Sequence, residues 1–181
     1  MNLETSYCSI GAVSGAPDWI HLLPLGEIKA VDGRAWRNID PQAVVNATRA
    51  IGRDLPIDYD HATDIGKTTG APAPAAGWIT AVEARADGIW GKASWTERGR
   101  AALAAREWRF ISPVFLFDKA TGVIRSILRA ALTNDPAIAE LTALAHAMRA
   151  EARAQLSPMD LEVCTRMGLD EAAYLRTKGG R

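Results

Sequence analysis

The chain has no excess charge of either sign: Lys and Arg total 21, and so do Asp and Glu. A nucleic-acid surface usually shows as a basic excess, so this balance disfavours a DNA-packaging role and a nucleic-acid partner. Cysteine is scarce. Cys8 and Cys164 lie near opposite ends with no metal-type spacing around either, which fits free thiols in a reducing cytosol rather than a disulfide framework. No apolar run approaches the ~20 residues of a membrane helix. The start, MNLETSYCSIGAVSG, lacks a basic segment followed by a long apolar one. The expectation is a soluble protein made inside a cell, with no membrane partner. Neither HExxH nor GxSxG occurs, which argues against a zinc-peptidase helix and an α/β-hydrolase elbow.

What is present suits one globular domain with room for an added helical segment: 181 residues, 48 % of them hydrophobic. Six tryptophans read as core and sheet-packing residues. The segment 16–26 reads as a strand ending at Pro24 and Gly26, with a turn at Asp32-Gly33. Asp40-Pro41 opens a helix that continues to Ile51 and stops at Gly52. In LPIDYDH, residues 55–61, Leu55, Ile57 and Tyr59 alternate with Pro56, Asp58 and Asp60, predicting a strand with one core face and one polar face. Residues 66–76, GKTTGAPAPAA, read as an irregular loop, a spacer or a substrate-contacting flap. A β-hairpin follows, with arms at 77–85 and 89–95 around Asp87-Gly88. Thr96 then caps a helix over 97–107. Residues 108–118 and the run from Val123 form two further strands about a turn at 119–122. Asn134-Asp135-Pro136 ends them, an amphipathic helix is predicted over 136–155, and two short helices around Gly168 complete the chain.

Histidine is limited to His21, His61 and His146, so the choice of general base is narrow. His146 reads as a solvated or packed helix residue, and His21 as a satisfied core residue of a strand. His61 closes the 55–61 strand with Asp58, Asp60 and Asp64 close by. Such carboxylates can ligate a metal, orient the ring as a base, or merely cap the turn. The metal alternative is weakened because Thr63 and Thr69 stand where an EF-hand loop starting at Asp58 would need Gly and an acid. Among the serines, Ser112 lies in the apolar run RFISPVF, and the following Pro113 biases it toward extended geometry. A hydroxyl so held has a fixed direction, as positioned catalysis requires, although strand serines are commonly structural.

Four blocks in order carry a family resemblance: DYDHATDIGK, AAGWITAVEARADGIWGKASWTERGRAAL, REWRFISPVFLFD and LRAALTNDPAIAEL. Over roughly residues 18 to 145 the chain resembles the Mu-like prophage I proteins, a family of head-maturation proteases. The ending, MGLDEAAYLRTK, resembles a segment of longer members in which a scaffold-like region continues. More distantly the layout is similar to other prohead proteases and to herpesvirus assemblins. The resemblance implies an α+β fold with a β-barrel-like core, surrounding helices and a helical C-terminal extension. It divides the chain into a serine protease domain, 1–145, and an extension, 146–181.

Those relatives close a strand with histidine in a D-H-type motif and place serine in a later strand. Carried over, the resemblance implies His61 as general base and Ser112 as nucleophile, 51 residues apart. The acid that related prohead proteases often place before a Pro-Ala pair falls here on Arg129 or Ala130. The third member would then be Asp60, or else Asp58 or Asp135, or be missing; assemblins use a second histidine, and no motif supports His21 in that role. Arg125 and Arg129 are candidates for oxyanion support through a bound water. The implied activity is a prohead serine endopeptidase without cofactor or metal, acting in the host cytoplasm inside the assembling prohead. Its partners would be the major capsid protein and scaffold protein as substrates, with self-cleavage and self-association. Two alternatives stand beside it: an inert scaffolding protein on a protease-like fold, and a metal hydrolase built on Asp58, Asp60 and His61.

Overall fold

A computed structural model describes residues 16–138, 141, 144, 152–169 and 171–178. Strands β1 (Trp19–Pro24), β2 (Gly26–Lys29) and β3 (Ala35–Asn38) precede helix α1 (Pro41–Arg49) and strand β4 (Leu55–Tyr59). Helix α2 (Ala62–Thr69), strands β5 (Gly77–Arg85) and β6 (Gly88–Trp95) and helix α3 (Glu97–Ala104) follow. Strands β7 (Phe110–Phe117) and β8 (Ile124–Thr133) come next, and helices α4 (Pro158–Met167) and α5 (Glu171–Lys178) form the tail.

Six strands make one sheet in the order β1-β6-β5-β4-β8-β7, and β2 and β3 form a separate hairpin. β1 also packs against β7, so the large sheet nearly closes on itself into a barrel-like α+β core. Its interior holds Ile20, Leu22, Ile57, Ile89, Ile111, Ile127 and Leu132, all essentially solvent-free. Helix α1 lies against β5 and β8 with Val44, Val45 and Thr48 buried. Thr48 Oγ1 donates to Val44 O at 2.7 Å and accepts the Ile127 N–H at 2.9 Å, which ties this helix to β8.

Local signals account for much of this. Asp40 caps α1 by accepting the Ala43 N–H, with Pro41 at the first helical position. Thr96 caps α3 through the Gly99 N–H. Ser157 and Asp160 form a capping box on α4, and Gly168 ends that helix in left-handed geometry.

Several expectations need correction. The predicted loop over 66–76 begins as helix, because α2 runs to Thr69 before Gly70 caps it. The β5–β6 turn falls one residue early: Arg85 pairs with Gly88, leaving Ala86 and Asp87 as the loop. Gly88 has φ +143°, and a Cβ there would lie 2.0 Å from Leu23 O, so close backbone approach rather than turn formation demands glycine. Helix α3 ends at Ala104, short of the expected 107. Trp78 is 42 % exposed and is no core residue, whereas Trp36, Trp90 and Trp95 are buried. The hairpin β2–β3 around the expected Asp32-Gly33 turn was not among the predicted strands. The predicted helix over 136–155 falls largely outside the described residues, as do His146 and Cys8; residues 136–138 are not helical and 152–155 are. Among the described residues, no helix is long and apolar enough to cross a membrane.

Candidate active site

The middle of the sheet brings three distant segments together. β4 runs parallel to β8 with Asp58 beside Ala131, and β7 runs antiparallel to β8 with Ser112 beside Ala131. Residues directly opposite on paired strands project to the same face. Asp58, Ala131 and Ser112 therefore form one row across β4, β8 and β7.

The chain leaves β4 through two consecutive left-handed residues, Asp60 (φ 47°) and His61 (φ 59°). Left-handed geometry is unfavourable for residues with a Cβ, and such strain concentrates at functional sites. This turn folds the imidazole back over the sheet: His61 Nε2 lies 2.9 Å from Ser112 Oγ. Ser112 is only 8 % exposed, and His61 is half-buried above it. A hydroxyl and an imidazole at this distance form the pair in which the ring can take the hydroxyl proton.

Helix α2 begins directly after His61, which provides no side-chain cap of its own. Asp58 supplies one from within β4. Its Oδ2 accepts the Thr63 N–H at 2.9 Å, while Oδ1 is buried without a partner. Asp58 is 1 % exposed, so the polar face expected for β4 is itself covered. Arg129 holds the same helix from β8. Its Nε donates to Asp64 Oδ2 at 3.2 Å and its Nη2 to Asp64 Oδ1, a two-point fork. The guanidinium holds the Asp64 carboxyl below the usual carboxylate range. Arg129 faces Val114 across the strand pair, two residues along β7 from Ser112, and so shares the face of Ser112.

The remaining candidates fall elsewhere. Arg125 is exposed and donates to Asp118 at the far end of β7 and β8. Six residues separate it from Ala131 along β8, roughly 20 Å of strand, which removes it from the dyad. Asp60 is exposed, and its carboxylate makes no hydrogen bond to His61 or to another described residue. His21 is buried, stacked on Trp90 at 4.9 Å with Nε2 3.1 Å from Leu23 O, and burial pushes its pKa down. The carboxylates around His61 do not converge: Asp58 holds Thr63, Asp64 holds Arg129, and Asp60 faces solvent. Among the described residues no cluster of three or more metal-ligating side chains occurs.

A cleft of about 360 Å³ opens beside the dyad, lined by Ser112 and its successors on β7 and by Trp36 and Arg34 of the β2–β3 hairpin. Sequence reasoning missed this wall. The only signal was the Trp36 alternation in AWRN, too short a run to identify a strand.

A family model, the N-terminal domain of the Mu-like prophage I proteins, matches residues 20–145. The chain belongs to that family. Protease I of Escherichia phage Mu is 35 % identical over 146 residues, covering 70 % of this chain and 40 % of the relative. The Mu-like prophage FluMu I protein of Haemophilus influenzae is 34 % identical over 159 residues, covering 78 % and 44 %. The chain thus spans less than half the length of these I proteins. No solved structure gives a significant match.

Proposed function

We propose that this chain is the peptidase portion of a phage head-maturation protein, a serine endopeptidase with Ser112 as nucleophile and His61 as general base. The observation that carries the reading is the 2.9 Å contact between His61 Nε2 and Ser112 Oγ. Membership of a family whose curated relative is called Protease I supports it. Substrates in this reading are the major capsid protein, scaffold protein and the chain itself, met inside the assembling prohead in the host cytoplasm. Residues 1–145 act as the peptidase unit and 146–181 as its helical extension.

In the first step Ser112 Oγ attacks the scissile carbonyl while His61 Nε2 takes its proton. The imidazolium then returns that proton to the leaving amine, and an acyl-enzyme remains. Water, deprotonated by the same ring, releases the acid and restores the serine. The oxyanion needs donors, and the residue after the nucleophile cannot be one because Pro113 has no N–H. Arg129, on the face of Ser112 and 12 % exposed at its side chain, is the cation best situated to support it through a water. Asp60 serves as third member only if its exposed carboxylate swings to His61 Nδ1; the dyad chemistry runs without it. No step calls for a cofactor.

An inert scaffold would need neither the strained turn at Asp60 and His61 nor a nearly buried serine within hydrogen-bond reach of it. Co-expression with the cognate capsid and scaffold proteins tests the reading by intact mass spectrometry. Processing by the wild type that disappears in Ser112→Ala is expected. Identical masses in both would reject serine catalysis and favour the scaffold.

A further inference from the structure

The cleft beside the dyad has a lining that constrains its occupant. Four consecutive residues, Ser112 to Phe115, all reach it. Successive side chains of a strand point to opposite faces, so a cavity touched by four in a row lies along the edge of β7 and not on one face. β7 ends the sheet order and, among the described residues, hydrogen-bonds only to β8; β1 packs near it without pairing. Pro113 fits this arrangement, since proline within a sheet is confined to edges where its nitrogen needs no partner. An unpaired edge is a template for an added strand.

The outer wall is aromatic. Trp36 meets Phe115 edge-on with centroids 5.2 Å apart and Phe117 at 6.1 Å, and Phe117 is 41 % exposed. Arg34 carries the one permanent charge among the described lining residues. Its Nε donates to Asp32 Oδ2 at 2.7 Å, and its guanidinium lies 5.0 Å from the Trp36 ring centroid. The charge is thus already partnered, and what the cleft offers an incoming side chain is an apolar surface.

We infer that the cleft binds an extended peptide along the edge of β7 and selects a bulky apolar side chain next to the scissile bond, with Trp36 and Phe117 as the specificity-determining wall. The inference rests on the peptidase reading above. At about 360 Å³ the cleft suits a short stretch of peptide around one large side chain.

The test has two arms. A fluorophosphonate probe on the wild-type chain first reports whether Ser112 is a nucleophile; its failure rejects the peptidase reading itself. A mixed decapeptide library, read by mass spectrometry, then reports which bonds are cut. Enrichment of Leu, Met or Phe beside the cut bond is expected. Trp36→Ala and the more exposed Phe117→Ala should each lower the kcat/KM ratio of Leu-containing over Ala-containing peptides by about tenfold or more. Thermal unfolding of both variants checks that they are folded, and Phe117→Ala serves if Trp36→Ala is not. Labelling of Ser112 with cleavage indifferent to apolar residues, or a wall variant that slows all peptides equally, would overturn the inference while leaving the peptidase standing.

Discussion

Replacing Asp58 with alanine should damage activity far more than stability. The carboxylate has one oxygen on the Thr63 N–H and the other buried without a partner. Losing the charged cap removes about 1.5–3 kcal/mol of favourable interaction. Losing the unpartnered oxygen relieves a desolvation penalty of about 1–3 kcal/mol. The two largely cancel, so net stability should fall by no more than about 2 kcal/mol, a shift of at most roughly 8 °C in Tm for a chain of this size. The dyad is affected differently. Helix α2 starts at the residue after His61, and without its anchor the imidazole can drift from Ser112. A misplacement near 1 Å costs on the order of 100-fold in rate. Asp58→Asn keeps an acceptor for Thr63 and should retain most activity. Thermal unfolding by circular dichroism paired with the rate of Ser112 phosphonylation measures both quantities. Loss of more than about 3 kcal/mol with an unchanged rate would refute this reasoning, because Asp58 would then be a stability residue with no hold on the dyad.

Asp60→Gly relieves a left-handed φ of 47° and should raise stability by about 1 kcal/mol in denaturant titrations; a concurrent loss of activity would assign Asp60 the third position. Arg129→Ala frees Asp64, whose carboxyl is held below its ordinary 3.8 in the fold. A depressed carboxyl stabilises above its unfolded pKa and ceases to as pH falls through the folded value. The wild-type advantage, about 1 kcal/mol or less because Asp64 is 40 % exposed, should therefore be present at neutral pH, begin to fade as pH drops below the ordinary 3.8, and vanish only below the lowered folded value in pH-dependent unfolding. The same variant should acylate at least about tenfold more slowly if Arg129 supports the oxyanion, as stopped-flow burst kinetics would show. Gly88→Ala would place a Cβ 2.0 Å from Leu23 O and should cost about 3 kcal/mol or more, readable as lost soluble yield and a lowered Tm.

The elements legible in the sequence are those with their own punctuation. Asp40-Pro41 and Thr96 announce helices α1 and α3 because cap and helix are adjacent in the chain, and Gly168 marks the end of α4. Helix α2 was half hidden because its cap, Asp58, lies five residues before Thr63 and inside a strand. Asp58 was likewise expected on a polar face, and only the pairing of β4 with β8 and the overlying α2 explain its burial. His61 and Ser112 were nominated from local context and family resemblance. Their meeting depends on a parallel β4–β8 pair and an antiparallel β8–β7 pair, long-range choices that no local pattern encodes. The cleft wall went unseen for the same reason: Trp36 reaches Phe115 only because the short β2–β3 hairpin packs beside β7.

The central claim is that His61 activates Ser112. Labelling of the purified chain by a fluorophosphonate, with the modified residue located by mass spectrometry, tests it most directly. The account predicts modification at Ser112 in the wild type, none in Ser112→Ala, and a rate at least about 100-fold lower in His61→Ala. Modification at another residue, or an equal rate in His61→Ala, would contradict it.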